Sequence, residues 1–126
     1  MVVTGCWQSS YPPPVGTCEN RDVSELRSVD GLFRAVRFTR RCGYESPTLN
    51  VSVLAKDTIL PNQKGNAFAE RPREGGGRGY ETRLDLMWDT SGRLTIVHSP
   101  NMAVDVGATE VDGVPIEQTT LFDGGG

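Results

Sequence analysis

The stretch that decides the fold runs from residue 82 to residue 98: Thr82-Arg83-Leu84-Asp85-Leu86-Met87-Trp88-Asp89-Thr90-Ser91-Gly92-Arg93-Leu94-Thr95-Ile96-Val97-His98. Leu84, Leu86 and Trp88 fall on one face of an extended chain, with Arg83 and Asp85 on the other. That period of two belongs to a half-buried strand. Asp89-Thr90-Ser91-Gly92 then supplies residues that accept turn angles, and Arg93 to His98 reads as the returning strand. The segment is an antiparallel hairpin.

The same reading extends outward. Asp30-Gly31 separates Leu26-Arg27-Ser28-Val29 from Leu32 to Thr39, and Asp112-Gly113 separates Thr109-Glu110-Val111 from Val114-Pro115-Ile116. Asp-Gly between β-formers signals a tight hairpin, because a type I′ turn needs positive φ at both central residues. Leu49, Val51 and Val53 alternate with Asn50 and Ser52. Seven strands are predicted, over 23–29, 32–40, 48–55, 82–88, 93–98, 103–111 and 114–121, and no useful length shows helical periodicity. The expected fold is all-β: a single-domain antiparallel meander closing as a small β-sandwich or a partly open barrel. Pro115 lacks a ladder donor, which predicts that the last strand lies at an edge. A propeller needs at least four blades, more than this chain can build.

The connection over 56–81 is long for a compact domain, and such loops are functional or disordered. Residues 60–69 are expected to be ordered, anchored by Leu60, Ala67 and Phe68, and residues 70–80 to be mobile. Gly75, Gly76, Gly77 and Gly79 do not make a phosphate cradle, since that motif sits between a strand and a helix. The domain organisation expected is a Pro-rich anchor or tether over 1–17, a β-domain over 18–122 and a flexible Gly tail over 123–126. Tyr11-Pro12-Pro13-Pro14 favours an extended, stiff spacer.

Composition narrows the function classes. The 126 residues are 37% hydrophobic and 23% charged, too apolar for a disordered chain and too polar for a membrane span. Thirteen Lys+Arg against sixteen Asp+Glu leave a formal charge of -3, the wrong sign for a general phosphate-backbone binder, so nucleic acid is not an expected partner. Fifteen Gly and eight Pro supply turns and oppose helices.

Three cysteines, Cys6, Cys18 and Cys42, leave an odd thiol in an exported protein. Val3-Thr4-Gly5-Cys6 looks like the site at which bacterial lipoprotein precursors are cleaved and acylated, which would require a longer apolar leader upstream. Acylated Cys6 would act as a membrane tether and leave Cys18 and Cys42 as an even pair, whose bridge would stabilise the fold by roughly 3 kcal/mol on the chain-entropy model. Three unconnected cytosolic thiols are the other reading. No Cys-x-x-Cys spacing and a single histidine argue against zinc, and no motif calls for a cofactor.

Candidate chemistry is sparse. His98 is the only histidine and hence the first candidate for a general base. A small hydrolase would pair it with Cys42 as nucleophile and Asp85, Asp89 or Asp105 as orienting acid. Its in-phase position with Leu94 and Ile96 argues instead for a strand-end histidine without a catalytic role. Glu81, Asp85, Asp89 and Glu110 offer carboxylate pairs of the kind any acidic chain contains. Arg34 and Arg40 share one strand face and Arg37 and Arg41 the other, which suits exposed cations pairing with nearby acids more than a binding stripe. Tyr44, Asn66 and Phe68 sit in predicted loops, where an aromatic residue is a binding hint, and could form one recognition surface.

Ser28-Val29-Asp30-Gly31, Cys42-Gly43, Leu60-Pro61-Asn62-Gln63-Lys64-Gly65-Asn66-Ala67-Phe68, Asp85-Leu86-Met87-Trp88 and Val111-Asp112-Gly113-Val114 follow one another in an order and spacing that resembles a group of small uncharacterised bacterial proteins often made as lipoproteins. The resemblance spans residues 18 to about 120, with Gly65-Asn66-Ala67-Phe68 its most specific piece. It departs at Val29, where proline is usual, and at Tyr44-Glu45-Ser46-Pro47, which replaces a Thr-rich stretch. The resemblance implies an envelope location and a Cys18–Cys42 bridge, and implies no activity. The expected function is a non-enzymatic, envelope-associated β-domain with a binding or structural accessory role; the alternatives are a small hydrolase using His98 and a cytosolic interaction module.

Overall fold

The computed structural model of the chain describes residues 14, 16–72, 83–100 and 102–120. The described residues are all strand and turn. Nine strands follow in order: β1 (Cys18–Arg27), β2 (Phe33–Cys42), β3 (Thr48–Ala55), β4 (Phe68–Pro72), β5 (Leu84–Trp88), β6 (Leu94–His98), β7 (Met102–Gly107), β8 (Glu110–Val111) and β9 (Val114–Thr120). They form a five-stranded sheet, β1-β2-β3-β4-β7, and a four-stranded sheet, β5-β6-β9-β8. The fold is an all-β sandwich.

Alternation builds the core between the sheets. Ala35, Val51, Val53 and Phe68 from the first sheet meet Leu84, Leu94, Ile96, Val114 and Ile116 from the second. Leu86 and Trp88 pack against them, as their phase with Leu84 predicts. The Trp88 indole donates to the Leu26 carbonyl at 2.8 Å and ties β5 to β1 across the open side of the sandwich. The outer face of the first sheet has its own apolar cluster. Val36, Phe38 and Leu54 are covered by Leu60 from the segment between β3 and β4. Residues 60–69 are therefore ordered as expected, and Leu60 covers the outer face before the chain enters β4 at Phe68.

Three turns show how local chemistry sets the hairpins. Asp112 and Gly113 both take positive φ, 51° and 85°, the type I′ geometry predicted. At Asp30-Gly31 only Gly31 is left-handed, at 76°, and Ser28 N–H donates to the Phe33 carbonyl. A four-residue loop replaces the expected type I′ turn there, because the Asp30 carboxylate instead accepts from the Ser28 hydroxyl and the Leu32 amide. Those bonds, the Ser28 hydroxyl first, hold the Asp30 carboxyl below its ordinary value. Asp89 organises the β5–β6 turn in the same way, accepting from the Ser91 hydroxyl and the Ser91 and Arg93 amides, with Gly92 left-handed at 91°.

Four expectations change. The chain runs as a meander only from β1 to β4; β7 then returns to pair with β4, and β9 pairs with β6 in parallel. The predicted seventh strand is accordingly an inner strand, flanked by β6 and β8, not an edge. Pro115 fits because Ile116 N–H, not residue 115, bonds to the Thr109 carbonyl on the β8 side, while the β6 pairing starts only at Leu94↔Ile116. No ladder position is left without its donor. The predicted strand 103–111 is divided into β7 and β8, which lie in different sheets, and β4 occupies residues that include the first part of the segment expected to be mobile.

Candidate functional site

Cys18 and Cys42 face each other across β1 and β2 and form a disulfide, with α-carbons 4.0 Å apart. Gly43 N–H donates to the Thr17 carbonyl one position beyond, so the two cysteines occupy the close, non-hydrogen-bonded type of antiparallel pair. The bridge fastens the end of the hairpin opposite its 29–32 loop. It also commits the Cys42 sulfur, the nucleophile that a hydrolase would need. Cys6 lies outside the described residues, which include only Pro14, Gly16 and Thr17 of the Pro-rich tether.

The Gly65-Asn66-Ala67-Phe68 motif is a structural plug. Asn66 lays its side-chain amide along β3 beyond the point where β4 pairs: its Oδ1 accepts from Val53 N–H at 2.8 Å and its Nδ2 donates to the Val53 carbonyl at 3.0 Å. Gly65 N–H donates to Asn50 Oδ1, Asn66 N–H to the Ser52 hydroxyl and Ala67 N–H to the Val51 carbonyl. A Cβ on Gly65 would stand 2.5 Å from the carbonyl oxygens of both Phe68 and Val51. Phe68 is fully buried, whereas Tyr44 is 81% exposed beside the bridge. The structure thus does not bring Tyr44, Asn66 and Phe68 to one surface.

His98 points inward at the end of β6 and is almost fully buried. Its ring lies 5.0 Å from that of Phe68. Nδ1 is 3.1 Å from the Ser99 carbonyl, which can only accept, so that contact is a hydrogen bond when Nδ1 carries the proton. Across the sandwich, Glu70 of β4 brings Oε2 to 3.4 Å from the same nitrogen. Neither carboxyl oxygen of Glu70 has a hydrogen-bond partner among the described residues, and the residue is fully buried. Desolvation raises its pKa to about 7. A buried carboxyl against an imidazole is a recognised acid–base arrangement, but the acids proposed from sequence are elsewhere. Asp85 pairs with Arg83, Asp105 pairs with Arg71, and Asp89 holds its turn. Glu110 accepts from Gly113 N–H, and Glu81 lies outside the described residues.

A cavity of about 280 Å³ opens on the outer face of the first sheet near the bridge, lined by Arg40, Glu45, Thr48, Lys64, Arg71 and Asp105 among others. The sheet register makes it. Arg40 of β2 stands opposite Thr48 of β3, while Arg71 and Asp105 come from the paired strands β4 and β7. Lys64 is delivered by the plug segment. Of the four arginines in β2, Arg34 pairs with Glu25 as expected, but its side chain is largely buried rather than exposed. Arg37 instead donates to the Leu84 carbonyl, and Arg40 to two asparagines.

Sequence reasoning missed Glu70, Lys64 and Arg71 as site residues. The available signal for Glu70 was its position two residues beyond Phe68, which puts both side chains on the core face once residues 68–72 are read as a strand. No family model, curated protein or solved structure matches the chain.

Proposed function

We propose that this chain is a non-enzymatic β-sandwich that acts by binding, or as a structural accessory, in an oxidising, envelope-type compartment, with Cys6 as its lipid attachment residue. The observation that carries the reading is the Cys18–Cys42 disulfide. Structural disulfides persist where thiols are not kept reduced, and a sulfur held in a bridge cannot attack a substrate. The groove beside the bridge offers a place for a partner to be held by a rigid sheet face.

A hydrolase reading has less to support it, since the Glu70–His98 pair is sealed in the core and the cysteine it would activate is bonded. A free-thiol count on unreduced protein isolated from its native source tests the compartment. One reactive thiol at most is expected, falling to none if Cys6 is acylated. Two or three would overturn the reading in favour of a cytosolic module. Intact mass of the membrane-fraction protein, with and without Cys6→Ala, tests the lipid. Any turnover lost in a folded His98→Ala variant would restore the hydrolase.

A further inference from the structure

The groove beside the bridge contains a positioned cation that no described acidic residue neutralises. Arg40 Nη1 donates to Asn20 Oδ1 and Asn62 Oδ1, both at 2.8 Å. Neither acceptor carries charge. The asparagines are fixed in turn: Asn20 Nδ2 donates to the Pro61 carbonyl and Asn62 Nδ2 to the Cys18 carbonyl. Arg40 is thereby oriented by the bridge strand on one side and the plug segment on the other. Lys64 has no hydrogen-bond or ion-pair partner among the described residues. Arg71 is balanced by Asp105, whose two oxygens accept from its Nε at 3.0 and 3.2 Å. With Glu45 as the remaining acid, three cations face two carboxylates. Among the described residues the lining keeps one positive charge in excess, in a chain whose formal charge is -3.

We propose that this groove binds an oxyanion, phosphate or carboxylate, carried on a small polar unit, with Arg40 and Lys64 as the residues that hold it. The proposal rests on the binding reading above and names the ligand class. Arg40 is already oriented, so little side-chain entropy is lost on binding. A charged planar donor and a mobile ammonium together suit an oxyanion, the first giving directed bonds and the second a point charge. The volume, about 280 Å³, lies just below the range of roughly 300–1,000 Å³ typical of sites for drug-sized ligands, so it accommodates one unit of a longer polymer or a small free anion.

The test is a titration of the oxidised full chain with inorganic phosphate and, separately, acetate, followed by amide chemical shifts, with sodium chloride as the ionic-strength control. Saturable shifts around residues 40, 48 and 64 are expected with at least one of the two anions, and the responding anion assigns the source. Lys64→Gln, which removes no contact within the fold, should weaken binding about tenfold, the usual scale for one charge-assisted contact. Arg40→Gln should weaken it at least as much. Lys56→Gln, an exposed cation outside the groove lining, should leave it unchanged. A response no different from that of chloride, or one that Lys64→Gln leaves intact, overturns the proposal. With the bridge verified by thiol count in the same sample, that failure strikes the groove alone and leaves the compartment reading standing.

Discussion

Glu70 puts a carboxyl between two sheets with neither oxygen hydrogen-bonded among the described residues, and such a group is costly when ionised. Its pKa of about 7 in the folded chain, against an ordinary 4.5, means that the folded state holds the proton more tightly than the unfolded state does. The stability is therefore greatest below the unfolded value and falls as pH rises through the folded one, by roughly 3 kcal/mol in all. Urea denaturation across about pH 4 to 8 should show that decline, and Glu70→Gln should flatten it because the amide does not titrate. An unchanged slope in the variant would mean that another group sets the pH dependence. Gly65 makes a different kind of demand on the same segment. A methyl group there meets backbone oxygen on two sides, and backbone cannot rotate away. Gly65→Ala should cost about 2–3 kcal/mol, at the upper end for overpacking, and be read as a lowered thermal midpoint.

At the scale of elements, β3 is longer than its partner. β4 pairs with only Leu49, Asn50 and Val51, and the Asn66 side chain supplies the next two ladder bonds. Asn66→Ala leaves the Val53 amide and carbonyl without those partners and should cost about 1–3 kcal/mol, with faster hydrogen exchange at Val53 as the local readout. Asn66→Asp keeps the acceptor for Val53 N–H but faces the Val53 carbonyl with a second oxygen, so it should also destabilise. An Asp variant as stable as the parent would show that the donor half is dispensable. These details mark how far the sequence could be read. Leu84, Leu86 and Trp88, or Val51 and Val53, declare their face through local alternation, and local alternation is what a strand needs. β4 was hidden because Glu70 places a charged residue at a core-facing position and Pro72 follows it, so the segment lacks both the apolar phase and the uninterrupted donors of a strand. The place of β9 was hidden for another reason. Which strand it joins depends on the distant β6, and Pro115 suggested an edge although the ladder happens to ask nothing of its nitrogen. The Arg40–Lys64 groove draws on four strands and two loops, and no single stretch of sequence contains it.

For the whole molecule, the bridge joins local strand pairing to the groove. Cys18 and Cys42 close a 24-residue separation, and cross-linking a loop of that length restricts the unfolded chain by roughly 3 kcal/mol on the entropy model. Net stabilities of single domains are about 5–15 kcal/mol, so this is a sizeable share for a chain of this size. The same cysteine backbone also serves the site, because the Cys18 carbonyl accepts from Asn62, which orients Arg40. Reduction is thus expected to do two things at once. It should lower the urea midpoint by an amount equivalent to about 2–4 kcal/mol, and it should weaken any anion response at the groove. The Cys18→Ala/Cys42→Ala double variant should match the reduced protein in both respects, which separates loss of the bridge from side effects of the reductant. Midpoints of oxidised and reduced protein that agree to within roughly 0.5 kcal/mol, a difference typical of inconsequential surface changes, would show that the sheets hold the hairpin end closed without help. A midpoint that falls while the groove response stays constant would instead place Asn62 and Arg40 under the control of the plug segment, which Leu60 and Asn66 pin to the sheet independently of the sulfurs.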